Sequence, residues 1–172
     1  MNKIAIVGPE SSGKSALAEA LANQYKEPFV REYAREYLLK QNNIYNESDL
    51  VEIAKGQLKL EKEQAKKAKK FLFCDTTLLV IEVWSAYKYG RVHPNILQNY
   101  KPNDYALHLL LKPDLIYQDD PLRENPSIEE RKNLFDIYHQ KLLDTNANFE
   151  IIGGKGKQRF KNAQKALQSH FN

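Results

Sequence analysis

The segment Gly8-Pro-Glu-Ser-Ser-Gly13-Lys14-Ser15 has the residue types and the spacing, G-x-x-x-x-G-K-[ST], that let a polypeptide wrap a chain of phosphates. Its glycines allow the backbone to curl until successive N–H groups point inward at anionic oxygens. A helix opening near Lys14 adds the positive end of its dipole. In that geometry Lys14 reaches the β- and γ-phosphates of a nucleotide, and the Ser15 hydroxyl binds Mg²⁺. The expected nucleotide-binding set is Gly8, Glu10, Ser11, Ser12, Gly13, Lys14, Ser15 and Ala16, with ATP and Mg²⁺ as the bound pair.

Asp75 closes the apolar run Phe71-Leu-Phe-Cys74, where an acid commonly accompanies such a loop. It can hold the metal directly, act through a water, or bind an acceptor. Glu32, at the end of Pro28-Phe-Val-Arg-Glu32, can accept the proton of an attacking hydroxyl. Phosphoryl transfer needs an acceptor held in line with the leaving oxygen more than it needs a strong base. Glu32 and Glu36, and likewise Arg31 and Arg35, recur at i,i+4, so surface ion pairing is the competing explanation.

The polar, proline-broken stretch from Asp119 to Arg131 reads as a lid. Closing over a triphosphate, it would exclude water and bring Arg123 and Arg131 to the transferring group. Ordinary pairing of these arginines with Glu124, Glu129 or Glu130 is the alternative. Lys14, Glu32, Asp75 and Arg123 thus form the expected catalytic set. Tyr33, Tyr37, Trp84 and Tyr87 have rings that can stack on a flat heterocycle. Trp84 sits in Leu78-Leu-Val-Ile-Glu-Val-Trp84, a helix or strand too apolar to face water, so packing is its leading explanation and substrate contact its second.

Strand and helix signals alternate along the whole chain, which points to an α/β fold: a five-stranded parallel sheet with helices on both faces. The expected strands cover residues 3–8, 28–32, 71–75, 105–111 and 149–152. Asn46 with Asp49 three residues on, and Ser127 with Glu130, are helix-opening pairs. Leu50, Ile53, Ala54, Gln57 and Leu58 form the inward stripe of the first of these helices, and a last helix begins near Gln158. Ligands of such sheets sit outside the carboxyl ends of the strands, where the phosphate loop, Glu32, Asp75 and the glycines Gly153 to Gly156 converge.

At 172 residues the chain suits one domain with one well-buried core. No stretch approaches the length of a membrane span and the N-terminus lacks a signal-peptide pattern, so a cytoplasmic location is expected. Cys74 stands alone, which excludes an internal disulfide. The net charge of +4 is concentrated in the lysine-rich run from Lys62 to Lys70, which reads as a solvated helix face rather than a nucleic-acid site. The four histidines are scattered without metal-ligand spacing. The expected partner is a small anionic molecule, with neither nucleic acid nor membrane, and the oligomeric state is left open.

Taken together, the phosphate loop, Glu32-Tyr-Ala-Arg-Glu-Tyr37, Cys74-Asp-Thr76, Val83-Trp-Ser85, Tyr89-Gly90 and Asp120-Pro-Leu-Arg123 resemble the ribosylnicotinamide kinase domain of the bifunctional NadR-type NAD-salvage proteins, in the P-loop kinase superfamily. The resemblance spans nearly the whole chain. It implies a P-loop NTPase fold with a short lid, and transfer of the ATP γ-phosphate to the 5′-hydroxyl of nicotinamide riboside to give nicotinamide mononucleotide. It also implies that Glu32, Arg35 and Asp75 handle the riboside, that Asp120 and Arg123 belong to the lid, and that the loop before Arg159 lies near adenine. In the bifunctional proteins an adenylyltransferase domain precedes the kinase. Here the first strand begins at Lys3, so that second activity is not expected. Thr77 and Tyr117 stand where the family often has aspartate and tryptophan, and both differences touch the substrate side.

Two other readings remain. One keeps the chemistry and changes the acceptor to another nucleoside. The other is a nucleotide-dependent regulatory module, against which the chain has Asp75-Thr-Thr-Leu78 in place of D-x-x-G and lacks N-K-x-D.

Overall fold

Short apolar strands separated by amphipathic helices bury their apolar faces most completely when the strands run parallel and the helices cover both sides. The computed structural model describes residues 1–171 and has this arrangement. Strands β1 (Asn2–Val7), β2 (Phe29–Val30), β3 (Phe71–Asp75), β4 (Leu107–Leu111) and β5 (Phe149–Ile152) pair in parallel in the order β2-β3-β1-β4-β5. The helices are α1 (Lys14–Tyr25), α2 (Tyr33–Lys40), α3 (Glu47–Ala65), α4 (Leu78–Tyr89), α5 (Pro94–Asn99), α6 (Ile128–Asp144) and α7 (Lys157–Phe171). A 3-10 turn covers Pro102–Asp104.

Alternation along the strands divides the core. Ile4, Ile6, Phe71, Phe73, Leu107 and Leu109 face α1 and α7, meeting Leu17, Leu21, Ala163 and Leu167. Ala5, Val7, Leu72, Cys74 and Leu110 face the other way, against Leu79 and Val83 of α4 and Leu134, Tyr138 and Leu142 of α6. A third cluster joins α2 to α5 through Leu38, Leu50, Ile53, Leu78, Ile81 and Ile96. Each fully buried large aliphatic side chain contributes roughly 1.5–3 kcal/mol, so these layers hold the strand ends rigidly under the site. No helix among the described residues is long and apolar enough to cross a membrane.

Several elements differ from their sequence-based limits. The second strand stops at Val30, and Glu32 lies outside the ladder at the N-terminal boundary of α2, its side chain making no capping hydrogen bond. Tyr105 and Ala106 precede β4; Tyr105 closes the 3-10 turn. The segment 78–84, open between helix and strand, is helical in α4. The lysine-rich run is helical only to Ala65, and the N–H groups of Lys69 and Lys70 are taken up by the Glu27 carboxylate at 2.8 and 2.6 Å. Asn46 and Asp49 form the full reciprocal box at the start of α3, and Ser127 Oγ accepts from the N–H groups of Glu129 and Glu130.

Candidate active site

Register places the phosphate loop beside Asp75. Ile6 of β1 is paired with Asp75 of β3, and Val7 leads straight into Gly8. Gly8 turns with φ 140°, and a Cβ there would stand 2.8 Å from the Leu111 carbonyl, so only glycine lets the loop leave the sheet at this point. Ser11 and Gly13 are also left-handed, with φ 54° and 82°, and Gly13 caps α1. This succession curls the N–H groups into an anion-binding concavity at a helix N-terminus. Lys14 Nζ spans the loop, donating to the carbonyls of Gly8 and Pro9 at 3.0 Å each.

Asp75 is 2 % exposed and lies just under the loop, with Oδ1 lacking any hydrogen-bond partner. Burial, and secondarily the charge of Glu32, push its carboxyl up to about 6; a hydrogen bond from Ser15 and the charge of Lys14 act in the opposite direction. Thr76, left-handed at φ 69°, and Thr77 follow with buried hydroxyls that also lack partners. Glu32 reaches the same place from the end of β2, at the N-terminal boundary of α2.

Above this floor opens a cleft of about 330 Å³, lined by Gly8 to Ser15, Glu32, Ala34, Arg35, Leu38, Val80, Trp84, Tyr87, Lys88, Leu122 to Asn125, Leu134 and Tyr138. Of the expected residues, the phosphate loop, Glu32, Arg35, Trp84 and Arg123 share this cleft. Trp84 is partly buried: it packs on the third core cluster and also faces the cleft, its ring meeting Tyr45 edge-on at 5.1 Å and its Nε1 donating to the Tyr45 hydroxyl. A second, more open hollow shares Arg123 with the cleft and is bounded by Ser11, Gly13, Leu115, Ile116, Gln118 and Lys155.

The segment between β4 and α6 is fastened on both sides of the cleft. From the phosphate loop, the Glu10 carboxylate accepts the N–H of Glu124 and, at 2.8 Å, that of Asn125, while Ser11 Oγ accepts the N–H of Gln118. From the opposite wall, Arg35 pairs with Asp120 at 2.8 Å and Asn43 donates to the Pro121 carbonyl. Tyr45 donates to Glu124, which also pairs with Lys88. The Leu122 N–H, and then Arg35, hold the Asp120 carboxyl below its usual range. Burial pushes the Tyr45 phenol up to about 12.

Arg159 and Arg131 take different positions. Arg159 is 4 % exposed and donates to the carbonyls of Ser12, Gly154 and Lys112 while pairing with Asp114, so its guanidinium braces the back of the phosphate loop. Arg131 donates to the Leu115 carbonyl and lies over the Tyr117 ring. Lys88, Glu124, Asn125 and Tyr138 belong to the cleft walls, with Tyr45 bonded behind them to Glu124 and Trp84, and none of these five is in the sequence-based set. An i,i+3,i+4 reading of Trp84, Tyr87 and Lys88 on one helical face was the available signal for Lys88.

The described residues hold no group of His, Cys, Asp and Glu that could cage a metal alone. A magnesium ion of a phosphate site needs only one or two protein oxygens, the rest coming from phosphates and water. The Ser15 hydroxyl and the orphan Oδ1 of Asp75 fit that requirement.

The sequence profile of the AAA domain matches residues 3–159. The chain is 29 % identical over 150 residues to the trifunctional NAD biosynthesis/regulator protein NadR of Escherichia coli and, to the same extent, to that of Salmonella typhimurium. These matches cover 85 % of this chain and 37 % of each relative, so the chain spans little more than a third of their length. Among solved structures, a NadR protein in complex with NR superposes with a TM-score of 0.78 at 23 % identity, over 98 % of this chain and 51 % of that one. Deoxyadenosine kinase from M. mycoides superposes at 0.64 with 18 % identity, covering 97 % of this chain and 99 % of its own. Thymidylate kinase from Ehrlichia chaffeensis does so at 0.66 with 12 % identity, covering 98 % and 97 %.

Proposed function

Since this chain belongs to the AAA domain family, we propose that it is a small-molecule kinase transferring the γ-phosphate of ATP to the 5′-hydroxyl of nicotinamide riboside, giving nicotinamide mononucleotide. The observation that carries the reading is the meeting of a phosphate loop with a second carboxylate: Glu32 lines the same cleft as Lys14, and its charge is felt by Asp75 beneath it. A nucleotide switch needs no such acid beside an aromatic-walled cleft. An acceptor hydroxyl does. The likeness to the NadR proteins, one of them solved in complex with NR, supports the riboside as acceptor.

In this reading the loop N–H groups hold the triphosphate, and the Lys14 ammonium leaves the Gly8 and Pro9 carbonyls for phosphate oxygens. Glu32 orients the 5′-hydroxyl and takes its proton as the new O–P bond forms and the bond to the β-phosphate oxygen breaks, releasing ADP. Arg35 and Asp120 bound the riboside, and Trp84 and Tyr87 wall its base. Residues 119–131 serve as the lid of a single kinase domain, placing the Arg123 cation over the transferring group. Magnesium, held by Ser15 and Asp75, would neutralise phosphate charge. Adenine would occupy the open hollow beside Leu115, Ile116 and Lys155, with Arg159 acting from behind through Ser12 and Gly154. The cytoplasm, where ATP is plentiful, is the corresponding place of action.

A second reading, another nucleoside as acceptor, is favoured by the likeness to deoxyadenosine kinase, which extends over nearly its full length. A turnover assay with Mg-ATP and a panel of nucleosides tests both. Product only with nicotinamide riboside supports the first reading and preference for another nucleoside the second. Nucleotide binding without phosphorylation of any acceptor would remove both.

A further inference from the structure

Gln57 is buried on α3, 1 % exposed, and both ends of its amide are engaged. Its Oε1 accepts the Tyr33 N–H at 2.8 Å, and its Nε2 donates to the Thr76 carbonyl at 3.1 Å and, at longer reach, to the Arg31 carbonyl at 3.4 Å. These backbone groups flank the two carboxylates of the cleft floor. Arg31 and Tyr33 bracket Glu32, and Thr76 follows Asp75.

The sheet does not join those flanks. The β2–β3 ladder ends with Val30 opposite Cys74, so Glu32 and Asp75 lie where strand pairing has stopped. Glu32 has turned away at the N-terminal boundary of α2, with φ −63° and ψ 108°, and Thr76 is left-handed at φ 69°. A side chain that both donates and accepts can bridge the gap, and glutamine does so without adding charge beside two acids. A carboxylate could not donate to the Thr76 carbonyl, and an aliphatic side chain would leave the Tyr33 N–H and that carbonyl unpaired in a dry place.

We infer that Gln57 is a positioning residue, which sets the separation and orientation of Glu32 and Asp75 by tying the backbone beside one to the backbone beside the other. The inference rests on the proposed kinase reading only for its effect on turnover; the spacing itself is a property of the chain. Misplacing reacting groups by about 1 Å costs up to about 100-fold in rate.

The test is Gln57→Met, close in size and unable to form these bonds. Expected is a fall in kcat of about 10- to 100-fold, with the nucleotide KM nearly unchanged, because the hydrogen bonds of Gln57 go to Arg31, Tyr33 and Thr76 and not to the phosphate loop. Ile53→Val or Ile53→Ala, on the same helix and chosen to match the fall in Tm, should keep kcat, which separates positioning from loss of stability. In a Glu32→Gln background the added Gln57→Met should cost less than it does alone, since only Asp75 is left to position. Crystal structures of parent and Gln57→Met should show the Glu32–Asp75 separation changed, a readout independent of turnover. An unchanged separation with parental kcat overturns the inference, as does a full multiplicative loss in the double variant. A changed separation with normal turnover in Glu32→Gln and Asp75→Asn upholds it and removes the kinase roles of those acids instead. Should Gln57→Met not fold, Gln57→Asn, one methylene too short to reach both segments, supplies the same comparisons.

Discussion

The ring of Tyr33 fills the space that a side chain on Gly56 would need. A Cβ built on Gly56 stands 2.1 Å from Tyr33 Cε1 and 2.3 Å from Cδ1. Glycine in mid-helix ordinarily weakens a helix by about 1 kcal/mol relative to alanine; here it admits the first residue of α2 against α3, directly behind Glu32. Gly56→Ala is therefore expected to destabilise the protein by about 1–3 kcal/mol in urea titration, overpacking outweighing the gain in helix propensity. A variant as stable as the parent would show that the ring swings aside at no cost.

Asp75 should act as a stability liability that function retains. Its carboxyl, pushed up to about 6 from 3.8 by burial and by Glu32, is charged at pH 8 in a place that disfavours charge. Because the folded value is the higher one, the associated stability is fully present only at low pH and is lost as pH rises through about 6. Asp75→Asn is expected to stabilise the ligand-free protein at pH 8 by roughly 1–3 kcal/mol while transfer is abolished. The gain should shrink toward pH 4. Chemical denaturation of both proteins across this range measures it, and a variant less stable at pH 8 contradicts the assignment.

His108 gives the opposite slope. It is fully buried in β4, its Nδ1 beside the Asn148 carbonyl and its Nε2 without a partner, and burial pulls its ring down from 6.5 to about 4. Between those values the unfolded chain takes up a proton that the folded chain refuses. Stability is thus lost as pH falls from about 6.5 toward 4, by roughly 3 kcal/mol at most. His108→Leu should flatten the dependence over this window, measured as the difference between variant and parent so that the contrary effect of Asp75 cancels. An unaltered slope would mean the ring titrates normally.

Much of this arrangement was legible in the sequence because it is local. The phosphate loop reads from Gly8 to Ser15 without reference to anything distant, and the Asn46–Asp49 box spans a single turn. Strand ends pointed to Asp75 and Glu32 because apolar runs stop there. What sequence periodicity could not resolve is partner choice among inward-facing polar groups. Gln57 appeared only as one position of an apolar stripe, although its amide bridges segments before and after it. Arg159 enters the sequence reading only through the loop before it, expected near adenine; what its spacing could not show is that its guanidinium donates to backbone carbonyls as distant in sequence as Ser12. Gly56, an unfavourable residue in mid-helix, is the one visible sign in the sequence of the close approach of Tyr33 to α3.

Lys14 is expected to be indispensable to transfer and dispensable to the fold. Its ammonium touches only the Gly8 and Pro9 carbonyls and is partly exposed, so water can replace it at little cost. Lys14→Ala should keep Tm within about 2 °C and lose transfer by three orders of magnitude or so. Nucleotide turnover near that of the parent would remove Lys14 from the mechanism.

Glu10 should decide how long the lid stays shut. Its carboxylate holds the N–H groups of Glu124 and Asn125, next to Arg123, and thereby fastens the segment proposed as the lid to the phosphate loop. Charge-assisted bonds of this kind contribute about 1.5–3 kcal/mol each when dry; at this wet rim a combined effect of about 1–2 kcal/mol is expected, or a 5- to 30-fold larger open population. Trypsin reads that population directly, because Arg123 becomes a substrate only when residues 118–125 leave the cleft. Glu10→Ala should therefore be nicked after Arg123 several times faster than the parent in the ligand-free state, with Glu10→Gln in between, since its amide keeps one accepting oxygen. Binding of a non-hydrolysable nucleotide should slow cleavage in the parent more than in Glu10→Ala. Equal rates of nicking in parent and variant would show that the remaining ties, Ser11 to Gln118 and those from Arg35, Asn43, Tyr45 and Lys88, hold the segment without Glu10.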